Sequence, residues 1–147
     1  MQVAIIGAGS CTGEEWRTAY EVGREVARNG ATLICGGLGG VMEAACQGAR
    51  EEGGLTVGVL PGVDGENPYV QVVIRSCLSH ARNFVLVQSA DVVIAVGGSY
   101  GTLSEIAIAC RIGRPVFGLH TWDIPGVISC KSPKVAVVRA IAAASRI

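Results

Sequence analysis

Short, solidly apolar runs alternate along the chain with longer stretches in which apolar residues recur at helical spacing. Val3-Ala4-Ile5-Ile6 closes on Gly7-Ala8-Gly9 and reads as a strand buried on both faces. Thr12-Gly13-Glu14-Glu15 then fits a T-x-x-E capping box, opening a helix that carries Trp16, Ala19, Tyr20, Val26 and Ala27 and stops at Asn29-Gly30. The same alternation continues. Ala31 to Cys35 is a strand ending in Gly36-Gly37-Leu38-Gly39-Gly40, Val41 to about Glu52 a helix, and Leu55 to Leu60 a third strand closed by Pro61-Gly62. A polar loop follows, then a fourth strand at Val70 to Ile74 and a helix capped by Ser79 that runs to Ala90. Asp91 to Val96 is the fifth strand and Gly97-Gly98-Ser99-Tyr100-Gly101 the loop after it. Thr102 to Ile112 is helical, Pro115 to Leu119 a sixth strand, and Ser132-Pro133 opens a last helix to about Ser145.

Strand and helix in turn, with strands apolar on both faces, predict a three-layer α/β domain: a doubly wound, Rossmann-like parallel sheet of about six to seven strands. The length of 147 residues suits a single domain over 1–147. In such sheets ligands bind beyond the carboxyl ends of the strands, where the winding reverses. The glycine-rich turns fall at that edge.

Composition narrows the classes. Half the residues are apolar and only 16% are charged, against about 25% in an average domain. The mean hydropathy of +0.45 points to surface buried by self-association, as a homodimer or homotetramer. The helix after Gly101, with Leu103, Ile106, Ala107, Ile108 and Ala109, is apolar over more than one face, as is Phe84 to Val87. The longest uncharged run, Val92 to Ser104, is broken by Gly97, Gly98 and Gly101 and falls short of the roughly 20 apolar residues of a membrane span. Twelve basic residues balance twelve acidic ones, so no net field attracts nucleic acid or an anionic membrane. Met1 to Gly7 lacks a cationic leader region, and a cytoplasmic protein with six reduced cysteines is expected. Cys77 and His80 stand three apart, but no second such pair completes a zinc site. No metal is expected.

Three glycine turns share the predicted binding edge: Gly7 to Gly13, Gly36 to Gly40, and Gly97 to Thr102. Glycine lets the backbone approach a ligand, and the helix N-terminus behind each turn offers free N–H groups and a positive dipole end. The set favours a phosphate ester, with Gly7, Gly9, Ser10, Gly36, Gly37, Gly97, Gly98, Ser99, Gly101 and Thr102 as candidate contacts. A dinucleotide fits poorly. Thr12 stands where G-x-G-x-x-G needs its third glycine, and the second strand ends in Cys35-Gly36 with no carboxylate for a ribose. A Walker loop is missing too. A singly phosphorylated molecule suits the pattern better, and no resident cofactor is required. Arg82 lies in the first turn of its helix, where a cation opposes the dipole, which makes it either a solvated surface residue or a grip for an anion. Glu105, three residues after Thr102, is either a capping-box partner of Thr102 or an acid/base beside the phosphate loop. His80, His120 and Trp122 lie near the same edge without a motif of their own.

Gly97-Gly98-Ser99-Tyr100-Gly101-Thr102-Leu103-Ser104-Glu105 resembles the P-G-G-x-G-T-x-x-E signature of the LOG family, also called lysine decarboxylase-like. Gly36 to Glu43 resembles that family's second loop, and His80-Ala81-Arg82-Asn83 stands where the family has M-x-x-R-K. The resemblance implies a Rossmann-like fold. It also implies a phosphoribohydrolase that cuts nucleoside 5′-monophosphates into free base and ribose 5-phosphate, with Arg82 and Glu105 as the catalytic pair. The chain departs from the signature at Val96, at Asn83, and by one extra residue in Ser99-Tyr100. These departures, with the short length, are similar to a sister branch that includes molybdenum-cofactor carrier proteins. That likeness implies a phosphorylated, molybdopterin-type ligand, beside the AMP-like nucleotide that the glycine loops suit, in a carrier or binding protein.

Overall fold

The central strands feed two cores, because successive side chains leave a strand on opposite faces. Val3 and Ile5 enter one core, and Ala4 and Ile6 enter the other. The computed structural model describes residues 1–146. Its elements are β1 (Gln2–Gly7), α1 (Gly13–Arg28), β2 (Thr32–Cys35), α2 (Val41–Glu51), β3 (Thr56–Leu60), β4 (Val72–Arg75), α3 (Arg82–Ser89), β5 (Val92–Val96), α4 (Tyr100–Arg111), β6 (Val116–Leu119), β7 (Val127–Ser129) and α5 (Pro133–Ala144). The strands form one all-parallel sheet in the order β4-β3-β2-β1-β5-β6-β7. Helices α1, α2 and α5 bury Val22, Ala45 and Val137 against one face, while α3 and α4 bury Leu86 and Ile106 against the other. This is the expected doubly wound, Rossmann-like architecture. Its winding reverses between β1 and β5, which places the crevice there.

Two glycines set the helix spacing on the α1 side. A Cβ at Gly23 would enter the carbonyl of Ala45, and one at Gly48 the carbonyl of Tyr20. The backbones of α1 and α2 therefore meet directly. The Thr12 capping box forms as expected: Glu15 N donates to Thr12 Oγ1 and Thr12 N to Glu15 Oε1, both at 3.1 Å.

Three local features depart from or add to the expectation. Strand β4 pairs from Val72, two residues late: Gln71 N is shared between Thr56 O at 3.1 Å and Thr56 Oγ1 at 3.0 Å, and Tyr69 O accepts from the Thr56 hydroxyl instead of a ladder N–H. Val127–Ser129, a stretch to which the sequence assigns no element, forms the seventh strand and extends the sheet beside β6, within the expected six to seven. Ser79 does not cap α3. Its φ of +52° lies outside the extended region a cap requires, and it opens a 3₁₀ turn, Ser79–Ala81, pinned by Ser79 N donating to Pro61 O at 3.0 Å. Among the described residues no helix is long and apolar enough to cross a membrane.

Candidate functional site

The crevice begins where β5 runs out. Gly97 (φ +54°) and Gly98 (φ +118°) turn the chain sharply, and a Cβ at Gly98 would strike the Thr102 side chain. Ser99 is the extended N-cap of α4, but its side chain makes no capping bond. The helix thus starts at Tyr100, two residues before the expected start. Thr102 lies inside its first turn, where a helical residue cannot cap. The capping-box alternative for Thr102 and Glu105 fails for that reason. Thr102 is only 2% exposed, and its Oγ1 is buried without a hydrogen-bond partner.

Glu105 follows one turn later, 8% exposed. Burial pushes its carboxyl up to about 7, and the Arg82 charge only partly offsets that rise. Arg82 is the first residue of α3 and lies over Gly36, where a Cβ would collide with the guanidinium. Its Nε is buried without a partner, and burial holds the guanidinium below its ordinary value despite Glu105 and Cys35 nearby. Arg82 and Glu105 sense each other's charge but form no ion pair among the described residues. The ion pairs lie instead along α1 and α2, where Arg24 and Arg28 share Glu52.

Together Arg82, Glu105 and Thr102 line a cavity of about 200 Å³ with Gly7, Gly9, Ser99 and Gly101. Leu38 and Met42 give it an apolar wall, and His80 and Asn83 edge it from the start of α3. The arrangement places one cation, a buried hydroxyl and the uncapped N-terminus of a helix around a space that fits a phosphate group. On the other side of the Gly97–Gly98 turn lies a cavity of about 610 Å³, lined by Thr12, Glu14, Glu15, Thr18, His120 and Trp122 among others. Trp122 Nε1 donates to Ser99 O at 3.1 Å, and the Tyr100 ring tilts against Trp122 with centroids 5.8 Å apart. Among the described residues no three His, Cys, Asp or Glu side chains group as a metal site.

The model of the SLOG cluster4 family matches residues 1–145. The chain belongs to that family. Among solved structures, the molybdenum cofactor binding protein of the phototrophic bacterium Rippkaea orientalis is 34% identical, with a TM-score of 0.89 over 96% of both chains. The Moco carrier protein of Chlamydomonas reinhardtii is 30% identical, with a TM-score of 0.91 over 99% of this chain and 98% of that one. A probable cytokinin riboside 5′-monophosphate phosphoribohydrolase of Oryza sativa subsp. japonica is 30% identical over 111 residues, which is 72% of this chain and 48% of the rice protein. The match therefore spans about half the length of that rice relative. The likeness to the LOG group and to carrier proteins, expected from the glycine loops and Arg82, holds in the family and its neighbours.

The expected site residues separate within this family fold. Gly7, Gly9, Arg82, Ser99, Gly101, Thr102 and Glu105 meet in the smaller cavity. Gly97 and Gly98 line the larger one. Gly36 supports Arg82 from below, and Gly37 (φ +76°) packs inward on Leu60 and Gly58. Ser10 is exposed and lines neither cavity. Sequence reasoning placed His120 and Trp122 near this edge but missed their grouping with Glu14, since the two segments lie far apart in the chain and share no motif. The positive φ of Cys77, Ser79 and His120, all non-glycine residues at this edge, left no trace in the sequence either.

Proposed function

We propose that this chain binds a phosphorylated, nucleotide-like or pterin-like small molecule at the β1/β5 crevice and holds it as a carrier, with a molybdopterin-type compound as cargo. One observation carries the reading: Arg82 Nε and Thr102 Oγ1 are buried without partners around the uncapped end of α4. A buried polar group left unpaired costs about 1–3 kcal/mol, and the oxygens of a phosphate ester would satisfy both. Structural likeness to molybdenum-cofactor carrier proteins at 30–34% identity supports the same reading. Gly7, Gly9, Gly101 and Ser99 would let the ligand approach the backbone. Isothermal titration with inorganic phosphate and with AMP tests it. Binding is expected in the wild type, with a loss of at least about tenfold in Gly98→Asp, whose new side chain brings a negative charge and a clash with Thr102. Unchanged affinity in that variant would remove the proposal.

A second reading has its own support. Glu105, with its carboxyl near 7 beside Arg82, is poised for acid/base work on a nucleoside 5′-monophosphate, as a phosphoribohydrolase requires. Free base released from AMP by the wild type and absent in Glu105→Gln would establish hydrolysis. No release from a folded protein leaves the carrier. Self-association belongs to either reading. Leu78, Phe84, Val85 and Tyr100 stay exposed on and beside α3 and at the start of α4, and light scattering at micromolar concentration is expected to give a dimer or tetramer mass.

A further inference from the structure

The larger cavity differs in chemistry from the smaller one. No lysine or arginine lines it, and its charged side chains are Glu14 and Glu15. A phosphate would be repelled there. Glu15 is already committed: Oε1 accepts from Thr12 N, and its other oxygen fills the space where a Gly97 Cβ would be. Glu14 is exposed and engaged by no side chain among the described residues. Thr121 has spent its hydroxyl on Gly97 O at 2.5 Å, and Trp122 its indole N–H on Ser99 O. The wall therefore offers an aromatic surface and the unspent carboxylate of Glu14, with the Thr12 and Thr18 hydroxyls and the His120 ring as its remaining side-chain donors. Its volume of about 610 Å³ falls in the range of about 300–1,000 Å³ typical of small-molecule sites, whereas the Arg82 cavity is below that range. Gly98 walls the larger cavity and the next residue, Ser99, walls the smaller, so the two cavities adjoin across the Gly98–Ser99 peptide.

From these observations we infer that the larger cavity is the ring subsite of the same ligand, and that Glu14 makes it select a 2-amino-4-oxo heterocycle over adenine. This inference rests on the phosphate reading of the smaller cavity. A carboxylate has two acceptor oxygens and no donor, so it pairs best with two N–H groups side by side in one plane. A ring N–H next to an exocyclic amine provides that pair, and guanine and the pterins share it. Adenine presents its amine beside an unprotonated ring nitrogen, whose lone pair faces the second carboxylate oxygen. Trp122 and His120 supply flat walls for stacking.

Guanosine, neopterin and adenosine carry no phosphate, which separates this test from the phosphate reading. Titrated against the full chain with Trp fluorescence as readout, guanosine or neopterin is expected to bind at least about tenfold tighter than adenosine. Glu14→Gln should remove that preference while inorganic phosphate binds within twofold of wild type. Glu14 is exposed, so the variant is expected to keep the wild-type circular dichroism. Whichever of guanosine and neopterin binds tighter identifies the ring class, nucleobase or pterin. Adenosine binding as tightly as both, no binding by any of the three, or a preference that survives Glu14→Gln would each overturn the inference. Loss of inorganic phosphate binding in the wild type would instead overturn the phosphate reading.

Discussion

Helices α1 and α4 both start at the same edge of the sheet, each behind a glycine turn, and they are finished in opposite ways. The N-terminus of α1 is closed: Thr12 and Glu15 satisfy each other's backbone N–H groups, and Glu14 adds a second negative charge to the first turn. The N-terminus of α4 is open: Ser99 makes no capping bond, Gly101 leaves the backbone bare, and the Thr102 hydroxyl is buried with nothing to bond. A helix end completed by its own side chains contributes stability. One left incomplete leaves N–H groups free for an outside acceptor, at a cost that the rest of the fold must carry. The two ends thus divide the crevice into an acidic side and a basic side.

The largest expected effect comes from the open side. The native Glu105 carboxyl holds its proton up to about 7, whereas in the unfolded chain it loses it near 4.5. The folded state therefore binds more protons between those values, and stability falls as pH rises through that window. Glu105→Gln should stabilise the protein by up to about 3 kcal/mol at pH 8 and by nothing near pH 4, read from denaturant midpoints at both pH values. A gain independent of pH would mean that the carboxyl is not buried as described. Next comes Arg82→Ala, which removes the cation and should weaken inorganic phosphate binding by about 10–100-fold. Thr102→Val sharpens the contrast further. It should lose about tenfold in phosphate affinity yet unfold no more easily than wild type, because it deletes a buried hydroxyl that has no partner in the free protein. The smallest effect belongs to the closed end. Thr12→Ala should cost about 1 kcal/mol of stability and leave phosphate affinity alone, while Ser99→Ala should cost little stability. Equal stability losses in those two variants would erase the distinction between the helix ends.

Much of the architecture was legible because its cause is local. The runs Val3 to Ile6, Ala31 to Cys35 and Val92 to Val96 are too short for helices and too apolar for an exposed strand, so a doubly covered sheet follows. Thr12 and Glu15 formed the expected box because both partners lie within one turn. The same motif logic failed at Thr102 and Glu105. There the helix begins two residues early, at Tyr100, and burial against the sheet places Glu105 in the cavity. Strand β7 was missed because Val127–Ser129 is short and half exposed, held as a strand only by pairing with β6. For Arg82 the sequence allows both a surface role and an anion grip. Its position over Gly36 decides that it is partly buried, which no spacing between the two residues could reveal.

By itself the sequence determined the layer order, the sheet edge on which the glycine turns gather, and the residue types found there, since apolar periodicity and glycine turns act over a few neighbouring residues. Only the tertiary structure decided which of those residues share a cavity. Arg82, Thr102 and Glu105 come from α3 and α4, and Glu14 and Trp122 from segments more than a hundred residues apart. Their burial, and with it the raised carboxyl and the unpaired hydroxyl, arises from packing against a sheet that exists only once the chain has folded.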